Sequence, residues 1–200
     1  MEHTNTITLI GCPYGRAEYS HSNHGRHFFS FHLQVERLSG AVDTLPILIP
    51  ESLLANTELT EADALRITGQ IRSYNNRSAV GRRLIISVLA DSLELCNEAH
   101  ENEVHLQGVI CKEPCYRKTP LGREICDIML AVNRPYHKAD YLPCILWGRT
   151  AQEAAYYNVG TELRLFGRMQ SRNYMKLLGD SAEQRTAYEI SCISAELLSE

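Results

Sequence analysis

The chain has 200 residues, 44% hydrophobic and 22% charged, with a formal net charge of −4 at pH 7, which is ordinary for a globular protein with room for one large domain or two small ones. No apolar run approaches the roughly 18 residues of a membrane span, and MEHTNTITLIG puts no basic stretch ahead of a long apolar one, so the expected location is the cytoplasm, with no membrane contact. Seven cysteines, an odd count with several inside apolar runs, suit reduced thiols, and the acidic balance excludes a uniformly basic nucleic-acid binder while leaving room for a local basic groove.

In chain order, residues 7–11, 27–37, 43–49, 65–73 and 82–95 are apolar or alternating segments punctuated by Gly, Asn and Ser, and they read as strands. A weak helical signal, ESLLANTELTEADAL, stands between the third and fourth. The short linker CNEAHE (96–101) has no Gly or Pro and predicts a fixed spacing between its flanks. The same series then repeats at about 103–111, 123–134, 140–147, 161–171 and 185–197. Here TAQEAAYY (150–157) puts Ala151, Ala154 and Ala155 on one helical face, with Tyr156 and Tyr157 expected as packing residues.

The repeat is a duplication. Asn5 and Asn102 open matching N-x-[IV]-x-L-x-G stretches at an offset of 102 − 5 = 97, and Gly25-Arg26 and Gly122-Arg123 share that offset. So do Leu33-x-Val35-x-Arg37 and Leu130-x-Val132-x-Arg134, and Asp43-x-Leu45-Pro46 and Asp140-x-Leu142-Pro143, while Gly69 and Gly167 slip by one. Five strands with a helix between the third and fourth is the order of an OB-fold. The expected fold is therefore all-β, two tandem five-stranded Greek-key barrels over 1–96 and 101–200. Pro46 and Pro143, early in the third strand of each copy, fit only where the missing N–H breaks no ladder bond.

The second copy interleaves rings and cations: Arg117, Lys118, Arg134, Tyr136, Lys138, Tyr141, Trp147, Arg149, Arg168, Arg172, Tyr174 and Lys176. Aromatic faces stack on any base and cations attract phosphate, so this pattern points to sequence-tolerant binding of a single strand. The stretches NEVHLQGVICKEP, LGREICDIMLAVNR, DYLPCILWGRTAQEAAYYNVGTELRLFGRMQSRNY and YEISCISAEL resemble the bacterial single-stranded DNA-binding protein family over residues 102–198. The first copy resembles it more loosely, through NTITLIG, FSFHLQVER and ITGQIRSYNN. The resemblance places four recurring stacking aromatics on Tyr136, Tyr141, Trp147 and Tyr174, and basic positions on Arg149 and Arg172. It implies single-stranded DNA binding in replication, recombination or repair, a nucleoid-associated location, a homodimer carrying four barrels, and partners among replication and repair proteins. SAELLSE, which closes the sequence, lacks the acidic-tipped tail through which family members often recruit such partners.

At the four equivalent positions the first copy has Ser39, Thr44, Pro50 and Asn76. It keeps cations (Arg16, Arg26, Arg37, Arg72, Arg77, Arg82, Arg83) and Tyr74, so Arg72 and Tyr74 join the candidate interface. The spacing of Phe28, Phe29 and Phe31 puts at most one or two of them on the inner face, as core, and the first copy is expected to extend the electrostatic track or to serve association. His21, His24 and His27 lack a completing cysteine pair, and CKEPC has no second pair, so no metal site is expected. No P-loop, nucleophile elbow or H-E-x-x-H is present, so neither an enzyme nor a cofactor is expected. Two alternatives stand beside DNA: an accessory interaction module of the replication or primosome machinery, and an RNA-binding OB-fold.

Overall fold

The computed structural model describes residues 5–54, 59–60, 63–76, 84–178 and 181–199. Its first half contains β1 (Asn5–Asn23), β2 (Arg26–Glu36), β3 (Val42–Pro50), α1 (Glu51–Leu54), β4 (Ala64–Asn75) and β5 (Leu84–Cys96). Its second half contains β6 (Glu101–Ile110), β7 (Cys115–Lys118), β8 (Glu124–Arg134), β9 (Lys138–Trp147), α2 (Gly148–Ala154), β10 (Glu162–Leu178) and β11 (Ser181–Ser199). In the first half the pairing runs β1–β2–β3–β5–β4 and returns to β1. In the second it runs β6–β8–β9–β11–β10 and returns to β6. Each ring is a closed OB barrel, with the parallel pairs β3–β5 and β9–β11 at the Greek-key crossover.

Alternation fills both interiors with equivalent residues. Ile7, Leu33, Val35, Leu45 and Ile47 are buried in one barrel where Val104, Leu130, Val132, Leu142 and Cys144 are buried in the other. The parallel ladder from the third strand begins at Ile47 in one copy and Cys144 in the other, one residue after each proline. The prolines thus stand where the strand is free on that side, as expected. Both copies also carry a bulge at the same place, Thr68/Gly69 and Phe166/Gly167. A Cβ on Gly69 would lie 2.1 Å from the Leu89 carbonyl oxygen, and one on Gly167 would lie 2.4 Å from that of Ser191.

Several details differ from expectation. β1 does not stop near Gly11 but continues to Asn23, forming a long hairpin with β2 across His24 and Gly25, both at positive φ. Cys115 of CKEPC opens β7, an added strand on β8. In α2, Ala151 and Ala154 are buried, whereas Ala155 is exposed; Tyr157 packs on the core but Tyr156 is 86% exposed. The helix ends at Ala154, with Ala155 as its C-cap, so Tyr156 lies beyond the helical face. Part of the first copy's helical segment, and Arg77, Arg82 and Arg83, lie outside the described residues.

The two barrels join edge to edge. β1 pairs antiparallel with β6, and Ile7 faces its own duplicate Val104, so the ladder is symmetric about that pair. Each copy then reaches across. Asp43, fully buried, accepts bonds from Arg37 at 2.5 and 2.7 Å and from the Ser171 backbone N–H at 2.7 Å. Asp140, also fully buried, accepts from Arg72 at 3.0 Å and from the Ser73 N–H at 2.5 Å. Ser171 Oγ takes the Thr44 N–H at 3.1 Å, and Ser73 Oγ takes the Tyr141 N–H at 2.7 Å. The duplicated aspartate of D-x-L-P is therefore a reciprocal clamp between copies, its buried charge balanced by arginine and backbone donors. The linker is pinned too: Arg66 pairs with Glu98 at 2.5 Å, and His100 Nδ1 accepts the Glu36 N–H at 2.7 Å.

Candidate nucleic-acid interface

In the second barrel, inward residues fill the core and their neighbours form an outer face across β8, β9, β11 and β10. The register sets Ile125 beside Trp147, then Asp127, Ile145, Ser191 and Arg168 in one row, and Ala131 beside Tyr141. Met169 points inward and is buried, so Arg168, Gln170, Arg172, Tyr174 and Lys176 alternate onto the outer face. Trp147 is half-buried, and its Nε1–H donates to Ser191 Oγ at 3.0 Å, which fixes the indole. Arg168 and Trp147 line one shallow hollow, together with Arg123 and, from the first barrel, Arg37. The Arg37 guanidinium pKa is raised above its usual value by its hydrogen bond to Asp43, against a smaller opposing effect of burial.

A second depression is lined by Tyr136, Tyr141, Arg134 and Lys138. Tyr141 is 44% exposed and Tyr136 is 91% exposed. Tyr136 and His137 hold φ of 64° and 54° in the turn between β8 and β9. A non-glycine residue there costs roughly 1–2 kcal/mol, so two in succession mark a turn whose shape is over-determined by its surroundings. Arg134 Nε lies 3.2 Å from Asp140 Oδ2, an ion pair not aligned as a hydrogen bond. Further along, Arg172 sits 5.8 Å over the Tyr174 ring and 3.5 Å from Glu189.

Of the expected residues, the structure brings Tyr136, Tyr141, Arg134 and Lys138 together, and separately Trp147 and Arg168. Arg172, Tyr174 and Lys176 follow on the same face of β10. Arg149 stands apart on α2, 90% exposed and paired with Glu153 at 2.9 Å. Arg72 and Tyr74 line a different groove, on the first barrel, which Arg134 also borders. Sequence reasoning missed Ser191, Gln170 and Glu189. Glu189 is an acid on the outer face, accepting from Gln170 Nε2 at 2.8 Å. The alternation in YEISCIS carries that signal, since it sets Glu189 and Ser191 on the face opposite buried Ile190 and Cys192. Among the described residues no group of three His, Cys, Asp or Glu could hold a metal ion, and no helix is long and apolar enough to cross a membrane. His21 instead stacks on Phe28.

Residues 101–198 match the model of the single-strand binding protein family. Single-stranded DNA-binding protein B of Bacillus subtilis is 38% identical over 80 residues, which are 36% of this chain and 71% of that protein. The chain belongs to the single-strand binding protein family. Single-stranded DNA-binding protein 1 of Staphylococcus aureus, another relative, is 34% identical over 106 residues, covering 48% of this chain and 60% of that protein. For several such relatives the match thus spans little more than half their length. The fold of the whole chain has a solved counterpart in the wild-type single-stranded DNA binding protein from Thermus aquaticus. The two align with a TM-score of 0.79 over 98% of this chain and 93% of that one, at 18% identity. The family match falls on the barrel that carries the aromatic face, and the structural likeness extends to both.

Proposed function

We propose that this protein binds single-stranded DNA without sequence preference, in replication, recombination or repair, and that it does so without catalysis. The observation that carries this reading is the Tyr136–Tyr141 depression. Two exposed rings stand beside Arg134 and Lys138, one of them 91% exposed on a turn of two consecutive left-handed residues. A ring so exposed has no packing role, whereas a base stacked on it gains about 1–3 kcal/mol. Trp147 and Arg168, then Arg172 and Tyr174, continue the same alternation of ring and cation over the outer face.

The reading divides the chain into residues 1–96 and 101–200, with the second unit as the principal stacking barrel. It places the protein in the cytoplasm on the nucleoid, with replication and repair proteins as partners. Two chains would pair as a homodimer; Leu95 and Leu197 are 62% and 40% exposed at matching places on β5 and β11, apolar surface that association would cover. Sedimentation tests the dimer: a monomer at working concentration contradicts it.

Binding is tested by anisotropy of a labelled oligo-dT at low and high salt, with oligo-U as competitor. The expected result is an affinity that falls steeply with salt, because cations on the face displace counterions from phosphate. Tyr141→Ala should weaken it about 5- to 100-fold. Absence of binding, or tighter binding of oligo-U, contradicts the proposal.

A further inference from the structure

The first barrel lacks rings at the four positions that carry them in the second, yet it has an aromatic groove of its own. Pro50 stands where the second barrel has Trp147, but its cross-strand partner is Phe28, where the second barrel has Ile125. The ring has moved across the ladder from β3 to β2. Phe28 is not core, unlike Phe31, which is 3% exposed; it turns outward and stays half-buried. His21, brought opposite by the long β1–β2 hairpin, lies on it with ring centroids 5.0 Å apart and planes 9° from parallel.

These two rings line a groove of about 840 Å³ together with Tyr74, Arg72 and Arg134. Tyr74 is 58% exposed. The floor is apolar at Leu48 and Leu89, neighbours across the parallel β3–β5 ladder. Rings, an apolar floor and arginines form a surface suited to unstacked bases and their phosphates. The groove is also continuous with the second barrel's face. Arg134 borders both this groove and the Tyr136–Tyr141 depression, and the Tyr141 N–H donates to Ser73, the residue beside Tyr74.

We infer that the first barrel carries a second base-stacking site, built from Phe28, His21 and Tyr74, onto which a DNA strand passes from Tyr141 across Arg134 and Arg72. The inference rests on the single-strand reading above and alters one part of it: the first barrel stacks bases itself rather than only extending a charged track. A strand would cross from one copy to the other at the reciprocal clamp, where Asp140 holds both arginines.

The test uses the full chain with two lengths of oligo-dT, one of about 8 nucleotides, within the reach of one barrel, and one of about 25, which needs both. Trp147 fluorescence reports the short oligonucleotide in the second barrel, and anisotropy reports the long one. Tyr74→Ala and His21→Ala, both at exposed positions, should leave short-oligonucleotide binding at Trp147 unchanged and lower affinity for the long one about 5- to 100-fold. Ultraviolet crosslinking of a long iodouracil-substituted strand should label Phe28, His21 or Tyr74 as well as second-barrel rings. Unchanged long-strand affinity in both variants, or crosslinks confined to the second barrel, overturns the second site while leaving the parent reading intact. A wild-type protein that binds neither length overturns both.

Discussion

The carboxylate of Asp43 in the first barrel caps the backbone N–H of Ser171 in the second at 2.7 Å, across 128 positions of sequence. Its duplicate does the same in reverse, so each copy of D-x-L-P holds the other copy's fourth strand. A buried carboxylate bonded by arginine and backbone is costly to break, because the arginine and N–H are left without a partner. Asp43→Ala and Asp140→Ala should each lower stability by about 3–5 kcal/mol in urea unfolding. A loss below about 1 kcal/mol would show that the clamp holds nothing.

Tyr136 separates binding from folding. Its ring is 91% exposed and its φ is 64°. Glycine accepts that conformation freely, though it gives the unfolded chain more freedom. Tyr136→Gly should therefore change unfolding free energy by less than about 1 kcal/mol. Oligo-dT affinity should fall by about 5- to 100-fold, as lost stacking requires. Destabilisation with unchanged affinity would assign the ring to structure.

Gly69 and Gly167 sit at the shared bulge, where the crossing strand leaves no space for a side chain. Either glycine changed to alanine must push backbone apart, at a cost of about 1–3 kcal/mol by thermal or urea unfolding. Gly25, with nothing near its missing Cβ, gives a contrast at φ 75°, where the penalty is conformational alone.

Thiol labelling near neutral pH should rank the cysteines. Cys115 is exposed, whereas Cys126, Cys144 and Cys192 are buried. Burial pushes the Cys126 thiol up to about 11, so almost none of it is the reactive thiolate at neutral pH. Cys144, hydrogen-bonded to Cys192 and fully enclosed, is also pushed well up. Mass spectrometry after brief labelling should find Cys115 modified and Cys126 and Cys144 intact, with the latter two reacting only on unfolding. Rapid modification of Cys126 would contradict the packing described.

The duplication, the strand order and the ring-and-cation pattern of the second copy are all legible in sequence, because each is written in local spacing. The role of Asp43 is not, since its partners Arg37 and Ser171 are joined only by the fold. Phe28 is legible only in part: the spacing of Phe28, Phe29 and Phe31 allows at most one or two on the inner face, and the register against Pro50 and His21 shows that Phe28 is the one that faces out. The end of β1 is not legible, because Gly11 reads as a strand end, whereas it is a point of close approach to Gln34 and Val35 through which the strand continues. Tyr156 was assigned to packing on helical spacing, but the helix ends two residues before it.

The central claim is that a DNA strand lies on the outer face of the second barrel, and Trp147 is the one tryptophan in the chain and stands on that face. The most direct measurement is its fluorescence during titration of the two-barrel chain with oligo-dT at two salt concentrations. Quenching that saturates, and that shifts to higher oligonucleotide concentration as salt rises, is the predicted result. Unchanged fluorescence while a second method reports tight binding would move the strand off this face, and no binding by either method would contradict the account as a whole.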